Sequence, residues 1–98
     1  MDPLIVQTEH RRLTILRHLE RCPDYTSNSS ILFDVCNGLG VASTMDLVVA
    51  ALAWLEEQSL VRLEAHDSLT IVMATARGVE VARGAATHPG VKRPTART

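Results

Sequence analysis

Histidine and cysteine side chains at helical spacing are the first candidates for chemistry in this sequence. His18 and Cys22 are four residues apart, which suits two ligands of one zinc ion on the same face of a helix. No second thiol and no H-x-x-x-H pair stands nearby, so that His10 or Cys36 would have to join through the fold. We therefore expect no metal site, and the ordinary roles are a buried thiol and a surface imidazole.

Sequence motifs for catalysis are not recognisable. We find no Ser/His/Asp set, glycine-rich phosphate loop or pair of carboxylates suited to a cleft. The G-L-G at residues 38–40 is typical of a helix end, and the adjacent Glu56 and Glu57 point to different sides of a helix. We predict that the protein is not an enzyme, and we expect no cofactor and no small-molecule ligand.

Hydroxyl groups and scattered cations are the groups that could contact nucleic acid. Hydroxyls and free N–H groups at a helix start can hold a phosphate, and basic side chains can neutralise one. Helix capping and a solvated surface are the ordinary alternatives for these residues. The predicted nucleic-acid contacts are Ser29, Ser43, Thr44, Arg62, His66, Arg77, Lys92 and Arg93.

The helices that would position these residues can be predicted from their ends. Asp2 and Pro3 form a good helix start, and Pro23 disfavours helical geometry at the preceding residue, so helix 1 spans about residues 3–21. PDYTSNSS is predicted to be a loop, and one of its residues 26–28 caps helix 2. The core must be aliphatic, because aromatic residues make up 3% of the chain.

Two short helices and a hairpin complete the pattern. Helix 2 ends near Gly40, Ser43 caps helix 3, and helix 3 continues to about Gln58. The hydrophobic period then changes from helix to strand in LVRLEAH and SLTIVMA, which a short connection joins into a hairpin. Thr75 caps a last short helix that Gly84 closes.

This order of elements predicts an α+β fold, a winged helix-turn-helix domain over residues 1–86. It has three helices, a two-stranded β-hairpin wing and a short C-terminal helix, with helix 3 in the position that reads base pairs. An unrelated three-helix bundle with a hairpin is the alternative. Residues 87–98 contain three basic side chains, two prolines and almost nothing apolar, which indicates a basic, disordered tail.

The cellular location is predicted from what the sequence lacks. No apolar segment approaches the roughly 18 to 20 residues of a membrane span, and the first residues do not form a secretory signal. Cys22 and Cys36 do not make a disulfide framework. We expect a cytoplasmic protein with free thiols and no membrane contact.

Four segments of the sequence resemble a known family. RLTILRHLE, NSSILFDVCNGLG, LAWLEEQSLVRLE and TARGVEVARG are similar to the small winged-helix proteins of Mu-like phages and prophages. WLEEQSLVRLE followed by T-x-x-G-x-x-V-A-x-G also resembles the ends of winged-helix transcriptional regulators, the arsenic-repressor-like group among them. The resemblance covers about residues 10–94, and it implies a winged-helix fold and association with DNA.

Helix 3 itself carries little that could read DNA. Residues 47–55 of the segment DLVVAALAWLEE are all apolar, and acidic residues flank them. Base reading in the major groove uses Arg or Lys for guanine and Asn or Gln for adenine. Residues 22–61 contain five acidic side chains and neither Lys nor Arg. The outward side of this helix is therefore predicted to be small, apolar and acidic.

Two functions follow from these observations. The first is a DNA-associated phage module, a transcriptional regulator in the fullest form, whose binding is weak or non-specific. The second is a winged helix repurposed for protein–protein interaction, either dimerisation or a role in phage assembly, without specific DNA binding. We expect a homodimer in either case, unless the tail or helix 1 covers the apolar face. The predicted protein interface consists of Ile5, Val49, Ala50, Ala53 and Trp54.

Overall fold

The computed structural model describes residues 2–95, and four α-helices and a three-stranded antiparallel sheet make up that part of the chain. This confirms the predicted α+β class, and the order of elements is compatible with a winged helix. Met1 of the predicted domain and Ala96, Arg97 and Thr98 of the predicted tail lie outside the described residues. The elements are α1 (Pro3–Arg21), a 3-10 turn (Pro23–Tyr25), β1 (Thr26–Asn28), α2 (Ser29–Gly38), α3 (Met45–Glu57), β2 (Val61–His66), β3 (Leu69–Ala74) and α4 (Ala76–Arg83).

The ends of α1 are confirmed. The Asp2 carboxylate accepts a hydrogen bond from the Leu4 N–H at 2.9 Å, and Pro3 occupies the first helical position. Cys22 ends the helix in an extended conformation, as the following proline requires. None of the helices in the described part of the chain is both long and apolar enough to cross a membrane.

The connection between α2 and α3 differs from the prediction by one residue. Asn28 caps α2 by accepting from the Ile31 N–H, and Gly40 adopts the left-handed conformation (φ 83°) after α2 ends. The predicted cap of α3 at Ser43 is wrong, because the Thr44 hydroxyl accepts from the Leu47 N–H at 3.1 Å. The Ser43 hydroxyl is instead engaged with α1.

The sheet has one strand more than the sequence predicts. The segment expected to be a loop contains β1, which pairs antiparallel with β3, so the strand order is β1-β3-β2 rather than a two-stranded wing. A strand of three polar residues has no alternation by which it could be recognised. It forms because the edge of β3 is available for pairing.

The hairpin and the last helix are confirmed. β2 pairs with β3 from Val61↔Ala74 to His66↔Leu69, and Asp67 turns the chain with φ 54°. The Thr75 hydroxyl caps α4 by accepting from the Gly78 N–H, and α4 ends at a left-handed Gly84. Gly78 lies so close to Leu60 that a Cβ would overlap the Leu60 carbonyl, which lets α4 pack tightly against the start of β2.

The core is aliphatic, as predicted. It lies where the three long helices meet the inner side of the sheet, and α1 and α4 form a second contact. The large side chains that are at most 2% exposed are Leu13, Ile15, Leu16, Leu19, Leu32, Val48, Leu52, Leu55, Leu60, Val61, Val72 and Val81.

For residues 87–95 the structure differs from the expected disordered tail. The Lys92 N–H donates to the Glu9 carbonyl at 3.2 Å, and Arg12 donates to the Gly90 carbonyl at 2.9 Å. His88 is hydrogen-bonded to Gln58 through Nε2 at 2.9 Å. The segment is held mainly through its backbone, so its lack of apolar side chains does not prevent it from packing against α1 and α3.

Candidate functional site

The helix α3 divides into a buried side and an open side. Val48, Leu52 and Leu55 are at most 2% exposed and Ala51 is 5% exposed, so the inward direction predicted from the sequence is confirmed. On the opposite side the side chains of Met45 and Val49 are 40% and 50% exposed. We call this open side the α3 face, and it consists of Met45, Asp46, Val49, Ala50, Ala53 and Glu57.

The α3 face has an unusual chemistry for its position. Ala50 and Ala53 are exposed and present only methyl groups, and Met45 and Val49 form an apolar row beside them. All charged residues of α3 are acidic. The surface therefore offers a partner apolar area and close approach, and it offers DNA no cation.

Trp54 is not part of the open face, because α1 and the C-terminal segment cover it. The Arg12 guanidinium lies over the indole, 3.8 Å from the ring centroid. The His88 ring meets it edge-on at 5.7 Å between centroids. Gly90 packs so closely that a Cβ would lie 2.7 Å from the indole. The predicted interface anchor thus binds residues 88–90 of its own chain.

Arg12 is a partly enclosed cation. Burial lowers the pKa of its guanidinium, and the nearby charges of Glu9 and Arg11 act in opposite directions, Glu9 raising that pKa and Arg11 lowering it. Its Nε is buried, and no hydrogen-bond acceptor meets it among the described residues. The indole face and the Gly90 carbonyl are therefore the partners that hold this side chain in place.

Ile5 lies on the first turns of α1 and is 54% exposed. It lines a shallow depression of about 230 Å³ with Leu4, Thr8, Glu9 and Arg12. Glu9 and Arg12 also hold the C-terminal segment. The structure thus places this predicted interface residue beside the tail contact.

The predicted phosphate-binding hydroxyls mostly hold the protein together. Ser29 is 6% exposed, and its hydroxyl accepts from the Thr70 N–H of the hairpin at 3.1 Å. The Ser43 hydroxyl accepts from Arg11 Nε at 2.7 Å and donates to the Val41 carbonyl at 2.8 Å. The Thr44 side chain is exposed but caps α3. Their hydrogen bonds serve internal roles.

Arg11 is a structural residue that the sequence argument missed. It is 3% exposed and crosses from α1 to the turn before α3, where it bonds Ser43 and, through Nη2, the Ala42 carbonyl at 3.1 Å. Asn37 holds the same turn from α2 by donating to the Ser43 carbonyl and accepting from the Ser43 N–H. The sequence signal was its position on the inward side of α1, next to Ile15 on a helical wheel.

Two of the predicted DNA-contacting cations lie together. Arg62 of β2 and Arg77 of α4 line one open depression of about 510 Å³ with Glu56 and Ser59, which we call the α4 depression. His66 lies exposed at the end of β2, next to the hairpin turn. Lys92 and Arg93 belong to the C-terminal segment, where the Lys92 ammonium is 3.5 Å from the Arg93 carbonyl. The basic groups do not converge on α3.

A second group of basic residues was not predicted as a site. A groove of about 250 Å³ runs between α1 and α2. The α1 residues that line it, four of them basic, recur at helical intervals that are visible in the sequence. Its α2 side is not visible there. We call it the α1–α2 groove, and its lining is His10, Thr14, Arg17, His18, Arg21, Val35 and Leu39.

Both cysteines are free thiols, Cys36 buried and Cys22 partly exposed. Within residues 2–95, no group of three or more His, Cys, Asp or Glu side chains is arranged to hold a metal ion. The spacing of His18 and Cys22 on α1 is therefore not extended by a third such residue in the described part of the chain.

The sequence was also compared with known proteins. It is 43% identical to the uncharacterised protein gp26 of Escherichia phage Mu over 89 residues, which is 91% of this chain and 92% of that protein. The chain belongs to the gp26 family of Mu-like phages. This confirms the phage part of the resemblance seen in the sequence. No protein-family model matches the chain, and the relative's name states no activity, so function is inferred from the surfaces of the molecule.

Proposed function

We propose that this gp26-family protein is a winged-helix module that works through protein contacts, with two copies associating across the α3 face. The observation that carries the proposal is the exposed apolar row on α3, where Met45 and Val49 are 40% and 50% exposed. The order α1-β1-α2-α3-β2-β3-α4 supports the winged-helix assignment. In such a domain α3 occupies the position that reads DNA.

The size of the side chains favours another helix as the partner. Ala50 and Ala53 permit close approach of two helix axes, and Met45 and Val49 supply area around the contact. Burying the exposed half of each of these two larger side chains stabilises a complex by about 1 kcal/mol per side chain. A symmetric pair doubles that contribution, because each copy presents the same row.

The charges on the α3 face define the geometry of such a pair. Asp46 and Glu57 lie near the two ends of the helix, and α3 contains no basic residue. Helices aligned along their whole length would bring acidic residues of the two copies together, whereas helices that cross near Ala50 keep these acids apart. We therefore propose a crossed pair centred on the two alanines.

The experiment is Ala53→Arg, measured by sedimentation equilibrium beside the parent protein. Arginine is a good helix former at an exposed position, so the fold is kept and circular dichroism should be unchanged. We expect the parent to associate and the variant to sediment as a monomer. Ala85→Arg, at an exposed position after α4, adds the same charge elsewhere and is the matched control. A monomeric parent, or a variant with the parent's oligomeric state, contradicts the proposal.

Association with DNA, including a regulatory role, is the second candidate function. It is favoured by Arg62 and Arg77, which both line the α4 depression, and by the exposed His66 on the hairpin. Its test is titration of a generic duplex at about 50 mM and about 200 mM salt, where phosphate contacts predict weaker binding at the higher value. No binding at the lower salt concentration removes this candidate. Neither proposed function includes a catalytic residue, a cofactor or a metal.

A further inference from the structure

The α1–α2 groove collects the basic side chains of α1. Arg17 and Arg21 are one helical turn apart, and His10 and His18 line the same groove. His10 and Arg21 are 11 positions apart, so the basic row extends about 16 Å along the helix. The groove therefore presents a linear array of donors along one side of α1.

The arginines of this array are not neutralised by the protein. Within the described residues, the recorded ion pair is Arg83 with Glu20 at 3.7 Å, so the acid next to Arg21 in sequence is directed toward α4. The groove lining contains no acidic residue, and Asp34 of α2 is not part of it. Arg17 and Arg21 thus have no carboxylate partner within 4 Å in this part of the chain.

We infer that the α1–α2 groove binds the phosphate backbone of duplex DNA. Two guanidinium groups one helical turn apart can each contact a phosphate, and guanidinium groups donate to phosphate in pairs. Val35 and the 70% exposed Leu39 form the α2 side of the groove, where they can contact the sugar edge without donating hydrogen bonds. No residue of the groove reads base edges in this arrangement, so the binding is sequence-independent.

With this site, the protein contacts DNA through the α1–α2 groove and another copy of itself through the α3 face. The acids of the α3 face repel phosphates, so α3 does not enter the major groove, and the DNA backbone is held by α1 instead. The inference rests on the second candidate function, association with DNA. It does not depend on the pairing of two copies across the α3 face.

The experiment is a titration of duplex DNA over a series of salt concentrations with the full chain and with Arg17→Gln/Arg21→Gln. Glutamine keeps the helix propensity close to that of arginine, so circular dichroism should match the parent. We expect the slope of log Kd against log salt to fall by about 2, one for each phosphate contact removed. At low salt the affinity should fall by about tenfold or more. Arg83→Gln is the control for charge removal, and its slope should stay at the parental value.

A second pair of substitutions distinguishes the groove from the α4 depression. If Arg62→Gln/Arg77→Gln lowers the slope and the groove variant keeps it, the groove is overturned while association with DNA survives. If Arg83→Gln, which removes one charge, lowers the slope by about 1, half of the loss expected for the double groove variant, the effect is one of net charge and the groove is again overturned. If the parent does not bind duplex at low salt, both the inference and the DNA candidate fail.

A competitor tests the class of ligand. Poly-glutamate carries regularly spaced carboxylates but no phosphate. We expect duplex DNA to displace a labelled duplex at a lower charge concentration than poly-glutamate does, because guanidinium groups bind phosphate in a bidentate manner. Equal displacement by poly-glutamate identifies a general polyanion surface suited to an acidic protein, and overturns the assignment to DNA.

Discussion

The solvent-facing sides of α1 and α3 are opposite in charge although the two helices do similar work inside the protein. Both bury aliphatic rows in one core. Outside, the α1–α2 groove is lined by basic residues and no acid, whereas all charged residues of α3 are acidic. The buried sides are constrained by packing, but the outer sides are free to differ. The position of a helix in the fold therefore does not determine its contacts, and its exposed side chains do.

The same contrast exists within α1, between arginines that face inward and those that face outward. Arg11 is buried and joins α1 to the turn before α3, and Arg12 holds the C-terminal segment against Trp54. Arg17 and Arg21 line the open groove. One residue type thus serves the fold on one side of the helix and, in our proposal, a ligand on the other.

The largest expected effect tests this division directly. Arg11→Met should lower the free energy of unfolding by about 3 kcal/mol, because it leaves the Ala42 carbonyl and the Ser43 hydroxyl without their charged donor. Arg17→Met, on the same helix, should change it by less than about 0.5 kcal/mol. Urea unfolding followed by circular dichroism measures both. Equal losses for the two variants would show that the inward and outward arginines are not distinct.

The next effect concerns the C-terminal segment, which covers Trp54 on one side of α3 and leaves the α3 face exposed. Gly90→Ala should detach the C-terminal segment, because Gly90 has φ 95° and its Cβ would lie 2.7 Å from the indole. Trypsin cleavage after Lys92 should be about tenfold faster, and the Trp fluorescence should shift to the red. Gly38→Ala is the matched control, since a Cβ at Gly38 meets nothing within 4 Å. Similar cleavage rates for both variants would show that the contact between Gly90 and Trp54 does not hold the C-terminal segment.

Local signals explain what could be predicted from the sequence. Asp2 and Thr75 bond N–H groups two and three residues away, so their helix starts could be recognised from short segments. The hairpin and the aliphatic core follow from hydrophobic periodicity in the same way. The choice between the neighbouring hydroxyls Ser43 and Thr44 as the cap of α3 could not be made locally. It depends on Arg11, which is 32 positions away from Ser43.

Contacts between distant parts of the chain explain what was missed. β1 exists because Thr26 meets Met73 across the sheet, and the three polar residues of β1 show no pattern of their own. The cover of Trp54 depends on a hydrogen bond between Arg12 and Gly90, 78 positions apart. The basic row of α1 was visible in the sequence as a helical spacing. That these residues line a groove could not be predicted, because Val35 and Leu39 of α2 form its other side.

A smaller effect compares the two surfaces through their response to salt. Self-association across the α3 face should become about threefold tighter between about 50 mM and about 200 mM salt, because ions screen the repulsion between the acids of the two copies. Duplex binding through the groove should weaken over the same range. Sedimentation and titration at matched salt measure the two trends. Association that weakens with salt would contradict the pairing of two α3 faces. It would indicate that the α3 face of one copy contacts the α1–α2 groove of another.

The smallest expected effect concerns the buried thiol of Cys36, near the contact between Arg11 and Ser43. Burial raises the pKa of the Cys36 thiol, and the charge of Arg11 and a hydrogen bond with Ser43 oppose the shift. Because the folded-state pKa is raised, the unfolded chain releases this proton first. The associated stability is then complete below the pH at which a free thiol ionises, about 8.5, and is lost above it. We expect Cys22→Ala, which keeps Cys36, to lose more stability than Cys22→Ala/Cys36→Ala between about pH 8 and about pH 10. Comparing the two variants cancels the titration of other groups, so parallel pH profiles would mean that the thiol ionises as readily in the folded core as in water.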